Sequence, residues 1–194
     1  YYPSEVRTNA DLEKMVDTSD QWITDRTGIK ERRIKGKDET VSDMGVIASR
    51  NAMEYGDVAP SSIDMSVCAT STGQRAFPSV ACDIQRELGL DGIPAFDVNA
   101  ACAGFCFALS VADQYIRTGM CKRILVVGAD ALSQLVDPND RSMIILFGDA
   151  AGAMIIEASE TPGIMTRHIH SSGRHTELLY AGRPVWGDED TIDT

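Results

Sequence analysis

Residues Phe96–Leu109 read FDVNAACAGFCFAL, with Cys102 set among Ala100, Ala101, Ala103 and Gly104, and Cys106 one helical turn further on. The residues before Cys102 read as a strand and those after it as a helix, so the thiol falls at a strand-to-helix junction. A thiol at a helix N-terminus lies at the positive end of the helix dipole, beside backbone N–H groups that have no partner. Both features favour thiolate, the nucleophilic form of a cysteine. The same N–H groups can receive the negative charge that develops on a carbonyl oxygen under attack. Small neighbours leave room for that carbonyl to reach the sulfur. The arrangement suits a covalent thioester intermediate. The competing reading of Cys102 is a buried, inert thiol that packs as a small hydrophobe. That packing role is the one expected of Cys68, Cys82 and Cys121, and of Cys106, one turn deeper on the same helix.

The chain has five cysteines, an odd number, and a start (YYPSEVRTNA) without the basic and apolar run of a secretory signal. This argues for reduced thiols and a cytoplasmic location. Cys102 and Cys106 together with His168 and His170 lack the spacing of a zinc site, so no metal is expected. LFGDAAGA could pass for a phosphate-cradling loop, but Gly148 and Gly152 fit neither G-x-x-x-x-G-K nor G-x-G-x-x-G. IKERRIKGK gathers Lys30, Arg32, Arg33, Lys35 and Lys37 within eight residues. It reads either as a solvated turn or as a docking site for a phosphate-bearing or acidic partner.

The elements that would position these residues alternate. TNADLEKMV opens a short helix capped by Thr8 or Asn9, and TSDQWITDRTG a second with Ser19 as cap and Gly28 as stop. TVSDMGVIASRNAMEYG has helical apolar spacing ending at Gly56. DMSVCAT is a short buried strand, PSVACDIQRELGL a helix from after Pro78 to Gly89, and PAFDVNA a second strand. GFCFALSVADQYIRTG is a long helix, apolar on most faces before Asp113 and therefore expected to be buried. RILVVGAD is a continuous apolar run, typical of a parallel strand covered on both faces. AGAMIIEAS and GIMTRHIH follow as two further strands around the turn ETPG, and RPVWGDEDTIDT reads as an acidic loop. Alternating strands and helices imply an α/β architecture with a largely parallel sheet, in which chemistry sits at the carboxyl ends of the strands.

At 194 residues the chain is long enough for one domain with a sizeable core or for two small ones. Its net charge of −11 makes it a poor nucleic-acid binder. No apolar run approaches the ~18 residues of a transmembrane helix.

Taken together, VRTNADLEKMVDTSDQWI, RTGIKERR, AFPSVACDIQ, AFDVNAACAGF, ALSVADQYI, DPNDR, LFGDAAGA and PGIMTRHIHSSG closely resemble the N-terminal half of the β-ketoacyl-acyl-carrier-protein synthase III family. The resemblance implies a thiolase-like fold (layered α-β-α-β-α), here as a half-domain over residues 1–194 without the first strand and the C-terminal half. It implies that Cys102 accepts an acyl group from acyl-coenzyme A, which is a substrate, with no permanently bound cofactor. Condensation with malonyl-acyl carrier protein would follow. Trp22 and Arg26 match residues that hold the adenine end of coenzyme A, Thr18 matches a further contact, and Arg141 lies on the other side of the adenine. A Trp and an Arg four apart on a helix share one face, and an indole flanked by a guanidinium can clamp a nucleotide. Phe77 matches a residue that crosses a homodimer interface to the partner's acyl pocket, and Phe147 one near the thiol. The family completes its site with a histidine and an asparagine from its second half, and His168, His170 and His175 do not match that motif. The alternatives are a related acyltransferase or polyketide starter enzyme, or a non-catalytic module that binds coenzyme A.

Overall fold

The structure, a computed structural model, describes residues 1–161 and 163–182. Pro162 of the expected ETPG turn and the acidic stretch from residue 183 onward lie outside the described residues.

The central element is a four-stranded sheet in the order β4-β3-β5-β6. β3 (Met65–Ala69) pairs in parallel with β4 (Ala95–Val98) on one side and with β5 (Arg123–Ala131) on the other; β6 (Asp149–Glu157) runs antiparallel to β5. Parallel neighbours need crossover connections. α4 (Val80–Leu88) supplies the one from β3 to β4, and α5 (Gly104–Arg117) the one from β4 to β5.

The period-two pleat explains why β3 and β5 read as unbroken apolar runs. Met65, Val67, Ala69, Ile124 and Val126 face α5, with Ala108 and Ala112. Cys68, Leu125, Val127, Ala129 and Ala131 face the opposite layer, made by α4 and α3 (Val41–Tyr55), where Val41, Met44, Ala48 and Ile84 pack. The result is a helix–sheet–helix sandwich. Among the described residues no helix is long and apolar enough to cross a membrane.

Local chemistry sets the helix ends. Thr8 and Asp11 form a reciprocal capping box on α1 (Asn9–Leu12), and Thr40 and Asp43 do the same on α3. Ser19 caps α2 (Asp20–Thr27) through the Trp22 N–H, and Ser79 caps α4 through Cys82. Gly28 and Gly89 close α2 and α4 in the left-handed conformation at φ 73° and 67°, which a residue with a Cβ adopts at a cost.

Three expectations need correction. The basic run is not a solvated turn. Glu31–Ile34 form β2, antiparallel to β1 (Glu5–Thr8), with Arg32 and Ile34 turned inward. GIMTRHIH is not a strand; Gly163–His170 have no regular structure and are almost wholly exposed. α5 is buried on one side only. Ala108, Ala112 and Asp113 are covered, but Cys106 is exposed rather than core.

Gly45 places α3 against α4 closely enough that a Cβ there would lie 2.6 Å from Ile84 Cδ1 and 3.3 Å from its Cγ1. Ile84 is fully buried and has little room to turn away. Gly45→Val is therefore expected to lower unfolding stability by about 1–3 kcal/mol, measured by urea titration. An unchanged midpoint would contradict the close α3–α4 contact.

Candidate active site

After β4 the chain passes Asn99 and Ala100, enters a 3-10 turn at Ala101–Ala103, and begins α5 at Gly104. Cys102 is exposed in the middle of that turn. Ala101 adopts φ +46°, a left-handed conformation that costs a residue with a Cβ about 1–2 kcal/mol. The turn is held from one side: the Ala101 N–H donates to Asn99 Oδ1 at 3.4 Å, and Ser71 Oγ donates to the same oxygen at 3.0 Å. Ala103 occupies the cap position of α5, and no side chain caps the first turn. Those backbone N–H groups are left without a side-chain acceptor, as an oxyanion site requires.

Cys102 opens into a cleft of about 270 Å³. Phe105, Gly128, Asp130, Gly148 and Gly152 line it with the thiol, so the ends of β5 and β6 and the start of α5 meet there. Small residues make the hollow: a Cβ on Gly128 would sit 3.1 Å from the Phe105 ring, and one on Gly104 3.3 Å from Ala69 Cβ. Asp130 closes the far wall. Its Oδ1 accepts from the Ser71 N–H and Thr72 Oγ1, both at 2.8 Å, and from Thr70 Oγ1 at 3.3 Å. It thereby pins the loop after β3 to the end of β5. Asp130 was not among the residues singled out from sequence; its signal was an acid closing the apolar run RILVVGAD.

The second constellation forms around Trp22. Arg26, one turn later on α2, places its guanidinium carbon 4.2 Å from the centre of the indole. Arg141, the first residue of α6 (Arg141–Ile144), lies 5.0 Å from the same ring and donates from Nη1 to the Asp17 carbonyl at 3.0 Å. The half-buried indole packs against Leu12, Ile23, Ile144 and Ile145. Cationic groups near an aromatic face attract it, and two guanidiniums at one indole make a positively charged aromatic platform. Between Asp17 and Ser19, Thr18 Oγ1 is buried and has no hydrogen-bond partner among the described residues. Trp22, Arg26 and Arg141, up to 119 positions apart in sequence, thus lie together, and Thr18 follows Asp17, whose carbonyl accepts from Arg141.

Other expectations fare differently. Phe147 is half-buried and does not line the Cys102 cleft; its neighbour Gly148 does. Phe77 projects from the surface at 83% exposure. His168, His170 and His175 are exposed after β6, and none lines the cleft. Cys68 and Cys121 are buried, and desolvation pushes both thiols above their ordinary pKa. That is the inert behaviour expected of core cysteines.

Comparison with known proteins agrees with this geometry. Residues 96–173 match the family model described as 3-oxoacyl-[acyl-carrier-protein (ACP)] synthase III. The chain is 64% identical over 192 residues to the β-ketoacyl-[acyl-carrier-protein] synthase III of Pseudoalteromonas atlantica, covering 99% of itself and 60% of that protein. It is 56% identical over 189 residues to a synthase III of Vibrio vulnificus, again covering 60% of the relative. The chain belongs to this family. It spans about 60% of the length of these relatives. Among solved structures, the synthase III of Aquifex aeolicus superposes with a TM-score of 0.81 at 50% identity, over 83% of this chain and 52% of that one. The priming β-ketosynthase of the R1128 polyketide pathway superposes at 0.82 with 42% identity, over 84% and 49%. The thiolase-like α/β fold is therefore established for the described residues.

Because Ala101 carries the strain of the turn at Cys102, Ala101→Gly is expected to leave stability unchanged or raise it by up to about 1 kcal/mol. A melting temperature that falls by several degrees would contradict the strained conformation.

Proposed function

We propose that the protein is a condensing enzyme that starts fatty-acid synthesis, with acyl-coenzyme A as first substrate and malonyl-acyl carrier protein as second. The observation that carries the reading is an exposed thiol, Cys102, at the uncapped start of α5 and at the carboxyl ends of parallel strands. The family membership supports the substrate class. In the first step the Cys102 sulfur, as thiolate, attacks the acyl carbonyl carbon. The carbonyl oxygen gains negative charge that N–H groups of the α5 first turn are free to receive. The carbon–sulfur bond to coenzyme A then breaks, and coenzyme A leaves as a thiolate that takes up a proton. In the second step malonyl thioester loses carbon dioxide, its carbanion attacks the Cys102 thioester, and Cys102 thiolate is released with a 3-ketoacyl product. The exposed histidines do not line the cleft, so the second step draws on groups other than these.

Trp22, Arg26 and Arg141 serve in this reading as the clamp for the adenine nucleotide of coenzyme A. The base stacks on the indole beside Arg26, and Arg141 lies on the other side of the base. The orphaned Thr18 hydroxyl gains a partner from the same ligand, as a buried polar group requires. Phe77 joins two subunits of a homodimer: an exposed phenyl ring of this size is otherwise an unfavourable surface residue. In this reading the enzyme is cytoplasmic and takes acyl-coenzyme A as a substrate, with no permanently bound cofactor. A polyketide-priming role is the second reading, supported by the similarity to the R1128 ketosynthase; preference among acyl donors separates the two.

The test is release of coenzyme A when the full-length protein is mixed with acetyl-coenzyme A alone. One equivalent per site is expected from the wild type and none from Cys102→Ala. Trp22→Ala is expected to retain the stoichiometric burst while its KM for acetyl-coenzyme A rises about tenfold, roughly 1.4 kcal/mol of lost stacking. A full burst from Cys102→Ala would overturn the assignment.

A further inference from the structure

Arg32 is the buried residue of the basic run, at 4% exposure. A buried guanidinium is costly unless its donors are used, and here they are used unusually. Among the described residues no carboxylate pairs with it directly. Nε donates to the Ile145 carbonyl at 2.9 Å, Nη2 donates to the same oxygen, and Nη1 donates to Asn9 Oδ1. Ile145 is the residue that ends α6, whose first residue is Arg141. Asn9 in turn donates from Nδ2 to Asp20 Oδ1 at 2.7 Å and to the Ile29 carbonyl at 2.8 Å, the two ends of the α2 segment that carries Trp22 and Arg26. The strand holding Arg32 is also pressed against the chain that runs from α6 into β6. A Cβ on Gly148 would meet the Arg33 carbonyl at 3.0 Å and Arg32 Cβ at 3.1 Å, and the Lys35 N–H donates to Asp149 Oδ2 at 2.8 Å.

We propose that Arg32 is a positioning residue that locks α6 to α2, and so sets the separation of Arg141 from the Trp22–Arg26 face that receives the nucleotide of the acyl donor. The proposal rests on the reading of Trp22, Arg26 and Arg141 as a nucleotide clamp. It assigns the buried cation a part in substrate affinity without contact to the substrate. Lysine cannot replace it, because one ammonium does not grip a carbonyl from two directions while also reaching Asn9.

The experiment compares two acetyl donors on the full-length protein: acetyl-coenzyme A, and the acetyl thioester of N-acetylcysteamine, which has no nucleotide. Arg32→Lys is expected to raise KM for acetyl-coenzyme A about tenfold and to leave kcat/KM for the short thioester within about twofold of wild type. The double variant Arg32→Lys/Arg141→Ala is expected to be no weaker than Arg141→Ala alone, since a residue acting through another loses its effect when that other is gone. Asn9→Ala cuts the α2 side of the bridge and gives the same donor-selective signature, which keeps the test available where Arg32→Lys does not fold. Equal losses for both donors, an additive double variant, or an unchanged KM for acetyl-coenzyme A overturns the proposal. Trp22→Ala runs alongside. A raised KM there with none in Arg32→Lys overturns the role of Arg32 alone, whereas an unchanged KM in Trp22→Ala removes the clamp itself and the proposal with it.

Discussion

The first turn of α5 lies closer to the ends of β3 and β5 than most side-chain contacts come. Gly104 and Ala69 meet on one side, and Gly128 and the Phe105 ring on the other, with 3.1–3.3 Å left for a hypothetical Cβ. That approach fixes where the helix begins. With α5 held so deep, the link from β4 must turn sharply in five residues, and Ala101 takes the left-handed conformation that the turn demands. Cys102 is then presented at the mouth of the cleft, and no side chain covers the helix start. The small residues of AACAG and VVGAD are two halves of one steric requirement.

The second constraint is the seam between β2 and the segment running from α6 into β6. At one end of that segment Arg141 stands beside Trp22; at the other, Gly148 and Gly152 line the cleft of Cys102. Asp149, nearly inaccessible, accepts from the Lys35 N–H and from the Ser133 N–H and hydroxyl. It joins β2, the end of β5 and the start of β6 in one carboxylate. The aromatic platform and the thiol are consequently parts of a single rigid frame rather than two independent surface features.

Much of this was legible in the sequence because it is local. Ser19, Ser79, Gly28 and Gly89 mark their helix ends by interactions within a few residues. The apolar runs of β3 and β5 declare strands covered on both faces. Cys102 is marked as a candidate by its place between strand and helix, whereas Trp22 and Arg26 are singled out by the family resemblance, their spacing on one turn adding only that they share a face. What escaped depends on contacts distant in sequence. ERRI hides a half-buried strand because arginine counts as polar, and the Ile145 carbonyl, 113 residues away, together with Asn9 Oδ1 makes the interior position of Arg32 tenable. GIMTRHIH has strand-like composition but acquires no ladder partner among the described residues, and without one an isolated strand has nothing to stabilise it. Cys106 has an apolar helix around it, yet its side of α5 meets no neighbouring layer here. Phe147 was placed by resemblance near the thiol; the cleft there is lined by its neighbour Gly148.

The central claim is that one particular sulfur carries the acyl group. The most direct measurement incubates the full-length protein with isotopically labelled acetyl-coenzyme A, digests it under mildly acidic conditions that preserve thioesters, and maps the label by fragment ions. Cys102 and Cys106 fall on the same stretch of chain, so the fragmentation must separate them. The account predicts the label on Cys102 and on no other cysteine. Label on Cys106, or on no cysteine at all, would contradict it.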